Sequence, residues 1–240
     1  LYRQEGKTHG LETVSEAIAD SCNIFFYDAG RRVGIDMLGQ YARALGLGEK
    51  TGIELAGEQA GVVAGPEYTA SVGGTWYEGS VLSAAIGQEN NRFTPLQLAN
   101  YIATLVNGGN HYATHLLRAV KSSDYSQTVL EYEPQLLDTL ELDADNVEAV
   151  KLGMWKVAND AKSSVSRYFA GLPVEVGAKT GSAQVASNVE ADAVFVCFAP
   201  YDDPQIAMTI VVEGGAEILD YYFSAEDTLE SVDPENTLLR

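Results

Sequence analysis

The run Ala193-Val-Phe-Val-Cys-Phe-Ala199 constrains this chain more than any other feature. It is almost wholly apolar, which suits a strand covered on both faces at the centre of a sheet. Upstream, Pro173-Val-Glu-Val-Gly-Ala-Lys179 alternates with period two, as a half-buried strand does. Downstream, Ile206 to Val212 is a third β-rich run, and Pro200-Tyr-Asp-Asp-Pro204 supplies the turn that joins the last two as a hairpin.

The first two-thirds read mostly as helices. Leu11, Val14 and Ile18 share one helical face, with Thr13-x-x-Glu16 as a capping box. A second helix is expected from about Ile24 to Arg32, stopping near Gly34, and a third carries Ile35, Leu38, Ala42 and Leu45 before Gly46. Gly48 to Gly79 reads as loops with a short hairpin, and Leu82 to Ile86 as a short helix. The cleanest helix start is Thr94 as N-cap, Pro95 in the first turn and Gln97 three residues after the cap. Its apolar stripe is Leu98, Ile102, Leu105 and Val106, and Asn107-Gly-Gly109 ends it. Another helix is predicted over about Ala144 to Asn159, presenting Val147, Val150, Met154 and Val157. Helices followed by a short antiparallel sheet make the fold class α+β.

With 240 residues and 46% hydrophobic content, the chain is long and apolar enough for one large domain or two small ones. Its net charge of −19 repels phosphate backbones and argues against a nucleic-acid partner. Cys22 and Cys197 both lie in apolar stretches and read as buried free thiols. No apolar run reaches the length of a membrane span, and no signal peptide is visible.

Two short motifs carry chemistry. Lys179-Thr180-Gly181-Ser182 ends the alternating strand. There, Lys179 offers a fixed positive charge beside an anionic substrate, and Thr180 and Ser182 offer hydroxyl donors. Gly181 has no β-carbon, so a substrate backbone can lie along the strand edge. The bland alternative is a glycine-containing bulge on an exposed strand. Ser21-Cys22-Asn23 falls between two predicted helices, where Ser and Asn either cap a helix or point into a cleft. His111-Tyr-Ala-Thr-His115 has the spacing of a zinc pair. It lacks the Glu that follows the first His in such helical sites and comes just after a helix end, so metal binding is not expected there. Trp76 and Trp155 are expected to pack in a core or at its rim.

Together, Ser-x-Asn on a helical segment and a later Lys-Thr-Gly-Ser on a strand resemble the second and third motifs of penicillin-binding proteins and serine β-lactamases. The resemblance extends through Ala17 to Tyr27, Leu45 to Glu54, Ala85-Ile-Gly-Gln88, Thr94-Pro-Leu-Gln-Leu-Ala99 and Leu172 to Gln184. Roughly residues 9 to 223 look like the class B, monofunctional branch. It implies a partial β-lactamase/transpeptidase-like fold over 1–223, helical over about 10–160 and sheet over about 172–213, with an acidic tail at 224–240.

The implied activity is peptidoglycan D,D-transpeptidation through a serine acyl-enzyme, with β-lactam antibiotics as inhibitors. The resemblance gives Ser21 a proton-relay role, Asn23 a hydrogen bond to the substrate amide, and Lys179 the site's positive field. Thr180 and Ser182 would hold the substrate carboxylate, Gly181 would leave room for the substrate, and the Ser182 N–H would form half of an oxyanion hole. No metal or organic cofactor is implied. The implied partners are a peptidoglycan stem peptide, β-lactams and a membrane-embedded glycan polymerase. The implied location is the extracytoplasmic face of a bacterial membrane, reached through an N-terminal anchor. The family's first motif, Ser-x-x-Lys, is expected outside this chain, because no lysine here has a serine three positions before it. A shortened small-residue segment after Val212-Glu-Gly-Gly215, followed by a final helix at Ala216 to Phe223, is a further departure. The rival functions are a β-lactamase, and a non-catalytic sensor or scaffold.

Overall fold

The computed structural model describes residues 8–185 and 188–215. The final helix expected at 216–223 and the acidic tail at 224–240 lie outside the described residues. Six helices come first: α1 (Val14–Ala19), α2 (Asn23–Val33), α3 (Ile35–Ala44), α4 (Pro66–Ser71), α5 (Ser80–Ala85) and α6 (Pro95–Val106). Four short strands follow, β1 (Asn110–Tyr112), β2 (Ala119–Lys121), β3 (Thr128–Glu131) and β4 (Leu136–Thr139), then helix α7 (Ala144–Asn159). The chain continues into strands β5 (Gly177–Ala183), β6 (Asp192–Ala199) and β7 (Ile206–Val212).

The last three strands form an antiparallel sheet in the order β5-β6-β7, with Lys179 opposite Val196 and Phe195 opposite Ile210. The central strand is the apolar run. Cys197 and Ala199 join a cluster with Val157, Ala158, Val165, Val176 and Ala178. Val196 and Phe198 join a second cluster with Ile102 and Met154. Neighbouring residues of one strand thus feed different clusters, as side-chain alternation requires. The two cysteines are buried free thiols, as expected.

Helix α7 connects sheet and site. Gly153 faces α1 so closely that a β-carbon there would stand 2.7 Å from Ile18 Cβ. Beside it, Ser15 Oγ donates to the Ala149 carbonyl at 2.7 Å, so the two helices meet over small residues. Both capping boxes form, at Thr13/Glu16 and at Thr94/Gln97. Gln97 does more than cap: fully buried, its Nε2 also donates to the carbonyls of Glu49 and Ala60 and anchors the glycine-rich segment.

Several expectations need correction. On α1 the buried residues are Ser15 and Ala17, whereas Leu11 and Val14 are exposed. Ile18, the third residue of that stripe, does turn inward, packing against Gly153 and the cluster that holds Met154 on α7. The strand expected from Pro173 begins at Gly177 and runs through the whole Lys-Thr-Gly-Ser motif. Residues before it are engaged elsewhere: Glu175 accepts from Trp155 Nε1, and its carbonyl accepts from the Tyr201 N–H. In place of a hairpin within Gly48 to Gly79, the chain forms α4, and Val62 pairs with Arg92. The arm made by β1 with β4 and β2 with β3 was not anticipated; its strands are short and largely exposed, so they carry little apolar alternation.

Candidate active site

Helix α1 ends at Ala19 with Asp20 as its C-cap, and α2 begins at Asn23, so Asp20, Ser21 and Cys22 make the whole junction. The turn is closed by the Cys22 N–H, which donates to the Ala17 carbonyl at 2.9 Å. Cys22 therefore points inward and is buried, while Ser21 and Asn23 stay exposed. Ser21 has φ +50°, the left-handed region that non-glycine residues rarely occupy. Such a conformation costs on the order of 1 kcal/mol and persists only where the surroundings impose it.

Opposite this junction stands β5, held on one side by β6. Lys179 Nζ donates to Ser21 Oγ at 2.5 Å, across 158 positions of chain, and to the Thr180 carbonyl at 2.8 Å. Burial lowers the Lys179 pKa to about 8, because desolvation disfavours the ammonium form. Thr180 is half-buried; Gly181 and Ser182 are exposed at the strand's far end. A β-carbon on Gly181 would come no nearer than 3.9 Å to the rest of the protein, so the chain's own packing does not require glycine there. Ser21 and Lys179 are thus brought into contact, Thr180, Gly181 and Ser182 continue the same strand, and Asn23 opens α2 beside Ser21.

Gln88, given no role of its own in the sequence, also reaches this strand, its Nε2 donating to the Ser182 carbonyl at 3.0 Å. A second cluster lies behind the junction: ligand atoms of His9, Glu12 and Cys22 fall within 4.8 Å of one another. The Glu12 side chain is only 5% exposed, and its Oε1 has no hydrogen-bond partner among the described residues. Imidazole, carboxylate and thiol are donors that suit Zn²⁺, so these are the residues here that would hold a cation. Burial, helped by Glu12, raises the Cys22 pKa, so a cation bound there would have to displace the thiol proton. Nothing in the local pattern marks this trio, since helix α1 separates Cys22 from the other two. His111 and His115 are engaged separately, His111 Nε2 with Asn100 Nδ2 at 3.0 Å and His115 stacked on Tyr132. Trp155 sits half-buried at the rim, donating to Glu175.

Comparison with known proteins identifies the family and the fold. Residues 2–228 match the family model described as the penicillin binding protein transpeptidase domain. The peptidoglycan D,D-transpeptidase MrdA of Escherichia coli (strain K12) is 31% identical over 224 residues, covering 86% of this chain and 35% of the relative. The chain therefore spans about a third of that relative's length. Among solved structures, Pseudomonas aeruginosa PBP2 in complex with WCK 5153 superposes with a TM-score of 0.76 at 28% identity, over 96% of this chain and 52% of that one. A chain from a peptidoglycan synthase complex that coordinates polymerization and crosslinking gives 0.75 at 28% identity, over 95% and 40%. From the helical junction and lysine strand through to the matched residues, this chain belongs to the penicillin-binding protein transpeptidase family, in its class B branch.

Proposed function

We propose that the protein containing this chain is a serine-type peptidoglycan D,D-transpeptidase that β-lactams acylate. The observation that carries the reading is the contact between Lys179 Nζ and Ser21 Oγ, which joins an ammonium and a hydroxyl at the open edge of β5. The attacking serine belongs to a Ser-x-x-Lys segment outside these 240 residues. Its oxygen bonds to the carbonyl carbon of a D-Ala-D-Ala stem peptide, the amide C–N bond breaks, and the last D-alanine leaves as an amine. Dividing the transfer into two steps lowers each barrier. Ser21 relays to the departing nitrogen the proton that the attacking serine gives up, its own hydroxyl polarised by Lys179. A neighbouring stem's amine then attacks the ester, the serine oxygen leaves, and a cross-link forms.

Asn23 hydrogen-bonds the substrate amide, and Thr180 and Ser182 receive its terminal carboxylate in the field of Lys179. The Ser182 N–H supports the oxyanion, an interaction of the kind whose loss costs about 3 kcal/mol of transition-state stabilisation. Gly181 leaves the strand edge free of side chain, so the peptide lies along β5 as an added strand. In a penicillin, the same serine opens the β-lactam C–N bond and stays esterified. The family resemblance implies work on the extracytoplasmic face of a membrane; partnership with a glycan polymerase is supported by the similar chain found in a peptidoglycan synthase complex that joins polymerization to crosslinking.

The deciding experiment is fluorescent-penicillin labelling of the full-length protein and its Lys179→Ala variant. The wild type is expected to label and the variant to lose most of the signal; equal labelling rates would remove Lys179 from the site. These 240 residues alone are expected to give no covalent adduct by intact mass spectrometry.

A further inference from the structure

The loop between α5 and α6 is built around Gln88. The residues on either side of it are both left-handed, Gly87 at φ +82° and Glu89 at φ +67°. Glycine adopts this freely; glutamate does so only under constraint. That constraint is visible. Asn91 Nδ2 donates to the Ala84 carbonyl and its Oδ1 accepts from the Ala64 N–H, while Asn90 Nδ2 donates to Thr69 Oγ1. Arg92 exchanges both backbone hydrogen bonds with Val62, and the Gln88 N–H itself donates to the Ser83 carbonyl at 3.0 Å. With its backbone fixed in this way, Gln88 extends its carboxamide across 94 positions of chain to the Ser182 carbonyl.

In an antiparallel strand the N–H and C=O of one residue project to the same side. A donor on the Ser182 carbonyl therefore fixes the direction of the Ser182 N–H as well. The need for such a hold is local. Ser182 follows Gly181, whose backbone is intrinsically free, and it lies one residue before β5 ends at Ala183. On the other side of the strand, β6 supplies its own ladder, with Ser182 opposite Ala193.

We infer that Gln88 is a positioning residue: by donating to the Ser182 carbonyl it aims the Ser182 N–H at the oxyanion of the acyl-transfer step. The inference rests on the transpeptidase reading above. Gln88 touches no reacting atom, so its loss slows bond formation and leaves initial binding of the inhibitor intact.

The test uses the full-length protein with Gln88→Ala, Gln88→Glu and Gln88→Asn, beside wild type and Lys179→Ala. Acylation by a fluorescent penicillin is followed across concentration, separating the non-covalent dissociation constant from the first-order acylation constant. In Gln88→Ala the first-order constant is expected to fall about tenfold, less than the loss from deleting an oxyanion donor outright, with the dissociation constant within about twofold. Gln88→Glu, which has no N–H to offer, falls at least as far, and Gln88→Asn, one methylene short, falls too. Thermal midpoints identify any variant that fails to fold, and the remaining variants then decide. Wild-type acylation constants in the folded Gln88 variants, or a purely proportional loss of affinity, overturn the inference. Two outcomes separate it from the reading beneath it. If wild type is never acylated, the transpeptidase assignment fails. If wild type is acylated, Lys179→Ala is not and the Gln88 variants behave as wild type, only the role of Gln88 fails.

Discussion

Gly153 on α7 and Ile18 on α1 touch so closely that the glycine's missing β-carbon is what lets the two helices meet. The atom in the way would be Ile18 Cβ, at 2.7 Å, next to the backbone and unable to swing aside. Because Ser21 directly follows the C-cap of α1, Asp20, this contact also sets where the Ser21 hydroxyl stands relative to β5. Gly153→Ala is expected to destabilise the protein by about 1–3 kcal/mol through overpacking, despite alanine's better helix propensity. Urea unfolding checks the stability, and penicillin labelling, expected to slow in the same variant, checks the displacement of Ser21.

Lys179 gives a pH signature. Its pKa of about 8 in the folded protein lies below the ordinary lysine value of 10.5. The folded state therefore releases this proton more readily than the unfolded one. The resulting penalty on stability is fully present below pH 8, is relieved as pH rises from about 8 to 10.5, and amounts to about 3 kcal/mol at most. Activity runs the other way, since the proposed chemistry needs the ammonium form. The acylation rate constant is expected to fall as pH rises through about 8. A rate profile flat from pH 7 to about 10 would show that the charge on Lys179 is not used.

Gln97 is expected to matter more than its neighbour in the same capping box. Removing its carboxamide leaves the Glu49 and Ala60 carbonyls and the Thr94 N–H without their partner. Gln97→Ala should cost about 2–4 kcal/mol, because it removes three hydrogen bonds made by one fully buried side chain. Thr94→Ala loses one cap hydrogen bond and should cost about 1 kcal/mol. Chemical denaturation of the two variants side by side gives the comparison.

Core and edge of the sheet should differ as sharply. Phe198 is fully buried on β6, and Phe198→Ala is expected to cost about 3–5 kcal/mol. Ile206, on β7, is 63% exposed, and Ile206→Ala should cost well under half of that. Thermal unfolding of both variants tests the contrast.

What was legible in the sequence was local. Thr94, Pro95 and Gln97 announce a helix start because capping involves only adjacent residues, and α7 is found at the bounds its periodicity implies. The β6 run stands out because two-sided burial leaves one composition. The start of β5 was hidden because Val174 and Val176 keep the alternation while Glu175 pairs with Trp155 and not with a strand. Gln88 was visible only as a letter in a family-like string, since its partner is 94 residues away. The meeting of Ser21 and Lys179 has no local signature either. Resemblance placed both in one site, and the coordinates put them in contact.

The left-handed backbone at Ser21 also limits what evolution can write there. Threonine, the obvious conservative replacement, has a branched β-carbon that φ +50° does not accommodate, so the hydroxyl cannot be traded for its nearest analogue. Asparagine and glycine tolerate the torsion but bring no hydroxyl. The contact with Lys179 therefore depends on serine through the shape of the turn as much as through its hydroxyl.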